Sequence, residues 1–346
     1  MLWAISGGAG FLGLHLTRRL LADGHIVRTL DVVPLGDDEL EGSASVQELR
    51  GDVCHPATAR ELVMGADVLV HAAAALPIRG SRDEIRAVNV GGTATILAAA
   101  REAGVGRVIF ISSTAVYGVP KVHPIGEDAP LVGVGSYGES KIEAEGVCLE
   151  FVRRGLEVVI VRPKTFIGPE RLGVFEILFD WVHDGRRIYM LGDGTNRYQL
   201  LAVEDLVEAV LRAASADGVA GEAVNVGAQA FGTVRSDLQA LIDQAGSTSR
   251  LTPIPARPAE IALRVFELAR ISPLAEWHYK TAHRDSFVDV SKAERLLAWH
   301  ARLSNAEALR ETYDWYLAHR DTLGGAGTTH RVPWNQQALG LLKRLS

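Results

Sequence analysis

Cysteine is nearly missing from this chain: Cys54 and Cys148 are two among 346 residues. Two thiols cannot build a disulfide framework, and neither stands in a Cys-x-x-Cys or other metal-ligand spacing. No metal is therefore expected, and a reducing cytoplasm is the expected setting. Basic charge is not in excess either. The 36 Lys and Arg face 42 Asp and Glu, for a net charge of −6, which removes the electrostatic footprint that nucleic acid or an anionic membrane surface requires. No uncharged apolar run approaches the roughly 18 residues of a spanning helix. The first fourteen residues are apolar, but they lack a basic start and carry a glycine cluster where a signal peptide would have its core. They read as strand and loop. Internal repeats and low-complexity tracts are missing as well. What is present, 47% hydrophobic and 23% charged residues, is the composition of a globular protein.

Short β-branched runs alternate with stretches of helical period, the pattern of β-α-β units on a parallel sheet. Strands are expected at 2–6, 26–31, 46–51, 68–71, 108–112, 158–162 and 223–226. Helices are expected at 11–23 and 88–103, ended by Gly24 and Gly104. Beyond residue 162 the spacing loosens. Helices are expected there at 175–184, 203–214 and 258–270, with a strand at 187–190 and a break at Pro253, Pro255 and Pro258. Ser304 and Glu307, in capping-box spacing, open a last helix. The expected fold class is α/β, a doubly wound parallel (Rossmann) sheet over 1–165 that 200–227 rejoins. A smaller substrate-binding lobe comes from 166–199 and 228–323. Residues 324–346 read as a linker and docking tail, in which Ala338, Leu339, Leu341, Leu342 and Leu345 share a helical face and Trp334 is an anchor.

Three constellations carry chemistry. Gly7, Gly10 and Gly13 lie between a strand and a helix, where glycine permits a tight turn, close approach of backbone to a pyrophosphate and close helix packing. Asp31 closes the second strand, where its carboxylate would accept from ribose hydroxyls and repel a 2′-phosphate, favouring NAD over NADP. Tyr137 and Lys141, four apart, share a helix face, and a cation near the phenol would bring its pKa down toward working pH. Ser136 and Glu139 have capping-box spacing and place Tyr137 in the first turn. Ser112 and Ser113 end a strand whose carboxyl end faces the ligand crevice. Taken singly, each has a plainer reading: a tight turn, a strand-capping carboxylate, a surface pair, a strand-end hydroxyl.

In order along the chain, GGAGFLG from Gly7, Asp31, the GDV at 51–53, HAAA from His71, NVGGT from Asn89, SSTAVYG from Ser112, YGESK from Tyr137 and RPKTFIGP from Arg162 resemble the extended short-chain dehydrogenase/reductase superfamily. More narrowly, residues 1–320 resemble its NAD-dependent epimerase/dehydratase family. The resemblance implies Ser113 as the catalytic hydroxyl, Tyr137 as acid/base and Lys141 on the nicotinamide ribose. It implies NAD held by Gly7, Gly10, Phe11, Leu12, Gly13 and Asp31, with Asp52 and Val53 flanking the adenine. Ala72, Ala73 and Ala74 would line the nucleotide opposite the glycine loop, Asn89 would order the region beneath, and Ser112 and the Pro163 backbone would complete the cofactor site. A homodimer through the helices flanking Asn89 and Tyr137 is also implied.

Departures from the family pattern bear on substrate. Its 4,6-dehydratases carry Asp and Glu after the catalytic Ser or Thr, where this chain has Thr114 and Ala115. A diphosphate-binding Asn is replaced by Thr165. The usual diphosphate-binding Arg position is Tyr198, with Arg197 one place earlier. Thr165, Arg197 and Ser113 are the expected substrate contacts. Lys164, Arg186 and Arg187 are further phosphate candidates, the last two reading more simply as solvated charge. The expected function is NAD-dependent oxidoreduction of a small molecule at a secondary alcohol, in a nucleotide-sugar epimerase or ketoreductase. A hydroxysteroid-dehydrogenase-like enzyme acting on an apolar alcohol and a non-catalytic NAD-binding protein are the alternatives.

Overall fold

The computed structural model describes residues 1–37, 40, 42–76, 81–268, 280–323 and 343. Its strands are β1 (Leu2–Ser6), β2 (Ile26–Asp31), β3 (Val46–Arg50), β4 (Val68–His71), β5 (Arg107–Ile111), β6 (Val158–Pro163), β7 (Phe166–Ile167), β8 (Ile188–Leu191), β9 (Leu201–Ala202), β10 (Ala223–Val226) and β11 (Leu251–Ile254). Seven of them form one parallel sheet in the order β3-β2-β1-β4-β5-β6-β10. The order reverses between β1 and β4, which opens a crevice beyond the ends of those strands, Ser6 and His71.

The helices are α1 (Phe11–Ala22), α2 (Pro56–Val63), α3 (Arg82–Arg86), α4 (Thr93–Glu102), α5 (Gly135–Arg153), α6 (Val174–His183), α7 (Val203–Ser215), α8 (Val234–Gln244), α9 (Ala256–Leu268), α10 (Ser291–Leu297) and α11 (Asn305–His319). Alternation along the strands divides the core. Trp3, Ile5, Val68, Val70, Ile109, Val159 and Val224 pack with α1, α7 and α10 on one face. Ala4, Leu69, Val108, Phe110, Val158 and Ile160 pack with α2, α4 and α5 on the other. Each fully buried Val, Leu or Ile stabilises the sheet by about 1.5–3 kcal/mol relative to an exposed one. A separate cluster around Ile177, Phe179, Trp181, Leu241, Tyr313 and Tyr316 joins α6, α8 and α11.

Several expectations need correction. The single helix expected over 88–103 is instead α3, a π-helical turn at Ala87–Gly92 and α4. Pro253 does not break structure: β11 runs through it beside β8, with Pro253 opposite Met190. A two-stranded sheet leaves one side of each strand unpaired, so a missing N–H is tolerated there. Ala293, Leu297 and Trp299, expected in the second lobe, belong to the sheet's core, and Trp299 Nε1 donates to Asp205 O at 2.9 Å. The Ser304 capping box forms as expected. The expected linker and tail at 324–346 lie outside the described residues except Lys343, whose amine pairs with Asp180 and Asp184 beside α6. Residues 269–270 of the helix expected at 258–270 also lie outside them.

Most of the charged and polar side chains buried at the ends of the strands are hydrogen-bonded to one another. Arg162 on β6 makes two bonds to Glu145 on α5, at 2.9 and 2.6 Å, and donates to the Tyr117 hydroxyl at 2.7 Å. Tyr117 donates onward to Asn225 Oδ1 on β10 at 2.7 Å, and Ser112 donates to Glu145. His71 lies between Ser6 Oγ, 2.6 Å from Nδ1, and Thr93 Oγ1, 2.9 Å from Nε2. Burial first, then the Lys141 charge, pushes its pKa down to about 3.

Two outcomes follow from these groups. Folded His71 resists a proton that the unfolded chain takes up near pH 6.5, so its contribution is full above that pH and is lost as the pH falls toward 3. Denaturant melts of wild type should lose about 1.4 kcal/mol per pH unit below 6.5 from this group, and His71→Asn should show a correspondingly shallower slope. Glu145→Ala leaves the Arg162 charge buried without its partner, and the same melts at pH 7 should record a loss of about 3–5 kcal/mol.

Candidate active site

The loop between β1 and α1 is built for close approach. Gly7 has φ +77, and a Cβ there would lie 2.7 Å from Ala73 N. A Cβ at Gly13 would lie 2.3 Å from Gly7 O, so any larger residue would push α1 off the loop. Gly10 precedes α1 without a side-chain cap, and the first turn holds no acid. The N–H groups of Phe11 and Leu12 therefore open the helix toward an anion. Asp31 Oδ2 accepts from Ala9 N at 3.1 Å and Oδ1 from Val33 N at 3.3 Å, fastening the loop to the end of β2. Asp52 Oδ1 caps the turn into α2 through Cys54 N at 2.8 Å, with Val53 buried beside it.

Facing the loop, Ala72 N donates to Ser6 O at 3.0 Å, and Ala73 N approaches Ser6 Oγ at 3.4 Å; Ala74 follows them. Asn89, fully buried, accepts from Ala75 N at 2.7 Å and donates to Ser140 Oγ at 2.9 Å, while Ser140 donates to Tyr137 O at 2.8 Å. This relay sets α5 against the cradle. The glycine loop, Ala72, Ala73 and Asp31 thus meet at the sheet's switch point, and the glycine cradle and open helix end fit a pyrophosphate.

Tyr137 lies in the first turn of α5, but not because of a capping box. Val134 precedes the helix with no side-chain cap, and Gly138 N already closes the first turn on Val134 O at 3.2 Å. Glu139 is drawn away to Arg82 at 2.7 Å. The phenol of Tyr137 is hydrogen-bonded to the Ser113 side chain, and burial pushes its pKa up to about 12, against the opposing pull of Ser113 and Arg171. This corrects the expectation of a lowered phenol. Lys141 Nζ turns down to Ile111 O at 2.9 Å and lies 4.9 Å over the Phe110 ring and 5.9 Å from the Tyr137 ring centre. Burial holds its pKa down to about 8, with the neighbouring Cys148 and Glu145 pulling the other way. Ser113 Oγ also accepts from Ala115 N at 3.1 Å, whereas the Ser112 hydroxyl is committed to Glu145. Only the backbone of Ser112 is left to meet a cofactor.

The cation that acts on Tyr137 is Arg171, which the sequence reading missed. The adjacent Glu170 does not pair with it and turns away to Arg18 on α1. On the far side of the crevice Pro163, buried at the end of β6, leads into Lys164. Burial lowers the Lys164 amine to about 7; it donates to Ser286 Oγ at 2.7 Å and lies 4.8 Å over the Tyr198 ring. Thr165 Oγ1 lies 3.2 Å from the Tyr198 hydroxyl. Arg197 does not join them. Successive side chains on extended backbone alternate, and its guanidinium sits between the Phe231 and Phe287 rings, 4.5 and 4.7 Å from their centres. Arg187 is exposed. Among the described residues no cluster of His, Cys, Asp and Glu could hold a metal ion, and no helix is long and apolar enough to cross a membrane.

The NAD dependent epimerase/dehydratase family model matches residues 3–227. The chain is 37% identical to the uncharacterised protein y4nG of Sinorhizobium fredii, over 98% of this chain and 84% of that one. It is 29% identical to a UDP-glucose 4-epimerase of Mycolicibacterium smegmatis, over 90% and 97%. The fold matches that of DesIV, a dTDP-glucose 4,6-dehydratase of Streptomyces venezuelae solved with NAD and TYD bound, at a TM-score of 0.76 and 25% identity over 93% of this chain and 98% of that one. With its glycine cradle, its Tyr137–Lys141 helix and this match over most of the sheet, the chain belongs to the NAD-dependent epimerase/dehydratase family and is an NAD-dependent enzyme.

Proposed function

We propose that this enzyme carries out reversible oxidation at a secondary hydroxyl of a nucleotide sugar, with epimerisation at that carbon as the outcome. The observation that carries the reading is the Ser113–Tyr137 hydrogen bond at the mouth of the glycine cradle, with Lys141 buried beneath it. NAD, when bound, supplies the hydride acceptor. Tyr137 exchanges the proton of the substrate oxygen, and Ser113 holds that oxygen in place. Half-buried and protonated at neutral pH, the Tyr137 phenol suits proton donation to a carbonyl. Withdrawing a proton from an alcohol needs the buried cations nearby to offset the cost of the phenolate. Dehydration is not proposed, since Thr114 and Ala115 carry no group able to protonate a leaving hydroxyl or remove a carbon-bound proton. A diphosphate is supported by Lys164, a buried amine beside Thr165 and Tyr198 on the crevice side of β6. A homodimer using α4 and α5, whose outer face exposes Leu149, and a cytoplasmic location complete the reading.

Incubation with UDP- and dTDP-sugars should give an epimer with no accumulation of NADH absorbance. Net NADH from an apolar secondary alcohol alone would overturn the reading. Tyr137→Phe keeps the packed ring and removes the transferable proton. Turnover should fall by about 100-fold or more, while the calorimetric Kd for NAD stays within a fewfold. Asp31 should make NAD bind more tightly than NADP in the same titration, and Asp31→Ser should narrow the gap, because a neutral side chain no longer repels the 2′-phosphate.

A further inference from the structure

Arg171 is the charged side chain hardest to explain by packing alone. It is 7% exposed, its Nε is buried with no hydrogen-bond acceptor, and no carboxylate among the described residues pairs with it. Its guanidinium lies 5.2 Å from the Phe11 ring and 5.5 Å from the Phe166 ring, and those two rings stack at 5.7 Å. Phe11 is the first residue of α1, at the open end of the glycine cradle. The charge is also felt by Tyr137. A buried guanidinium whose Nε–H meets no acceptor is costly unless an anion completes it.

The loop that carries Arg171 is braced to point there. Pro169 O lies 3.0 Å from His15 Nε2, and Glu170 pairs with Arg18, both partners being on α1. Glu170 itself has φ +69, a strained backbone for a residue that is not glycine. Arg171 N closes the turn on Gly168 O at 3.0 Å. Together these contacts turn Glu170 outward and Arg171 inward over the cradle. Burial lowers the guanidinium pKa to about 9, a sign of how poorly the charge is solvated where it sits.

We propose that Arg171 is the second half of a pyrophosphate site, clamping the phosphates of NAD from the β7–α6 loop while the N–H groups of α1 hold them from below. The assignment rests on NAD as cofactor and not on the identity of the sugar. A planar fork of donors matches a phosphate edge in two bonds at once, which a lysine cannot do. The aromatic faces of Phe11 and Phe166 support the guanidinium and shield it from water.

Calorimetric titration of the full chain and of Arg171→Met tests this with NAD, with adenosine, which lacks phosphate, and with UDP added to NAD-loaded protein. NAD should bind Arg171→Met about 10- to 100-fold more weakly, with adenosine unchanged. Arg171→Lys should recover part of the loss. Because the variant removes an uncompensated buried charge, its melting temperature without ligand should equal or exceed that of wild type, while the upward shift caused by NAD shrinks. An NAD affinity within about twofold of wild type overturns the proposal. A loss confined to UDP overturns it in favour of a substrate diphosphate. A lower ligand-free melting temperature with equal losses for every ligand overturns it in favour of a packing role. Wild type failing to bind NAD at all would remove the cofactor reading itself, and this proposal with it.

Discussion

The buried Arg162–Glu145 pair is the joint on which the site depends. It ties the end of β6 to the second turn of α5 beyond Tyr137, and Ser112, Tyr117 and Asn225 extend it across β5 and β10. Two ions taken out of water stay paired only if nearly every donor and acceptor is used. This geometry meets that demand with Ser112, Tyr117 and the Glu127 carbonyl. The result is rigidity where chemistry needs it. Lys141, one turn before Glu145, is fixed on Ile111 O, and Tyr137, one turn earlier again, meets Ser113.

Around that joint the electrostatics are governed by burial. Tyr137 is held protonated, with a pKa near 12, while Lys141 and Arg171 are pushed down to about 8 and 9. Lys164, further along the crevice, falls to about 7. Burial therefore works against the charged form of groups of both signs in one region. A negative charge placed among such buried cations would favour their charged forms, because little water is there to screen the attraction. Stability is spent there and regained from the two hydrophobic faces of the sheet.

Much of this was legible in the residues. Strand positions followed from β-branched alternation, and β1, β2, β4 and β10 have the expected bounds. The glycine cradle was legible because its spacing reflects contacts between neighbours in the chain, such as Gly13 against Gly7 O. Harder to see were β11 through Pro253 and the packing of α10 and Trp299 on the sheet. Each depends on which distant segment lies alongside, and local propensity carries no record of that.

The order of strands and turns, the cradle, and the Tyr137 and Lys141 spacing on one helix face were set by sequence alone, because steric and periodic rules act over a few residues. Only the tertiary structure decided what those groups experience. It turned Lys141 toward Ile111 O, raised the Tyr137 phenol instead of lowering it, sent Glu170 to Arg18, and left Arg171 over Phe11. The reason is that charge and desolvation depend on everything packed within several ångströms, and most of those atoms arrive from remote parts of the chain.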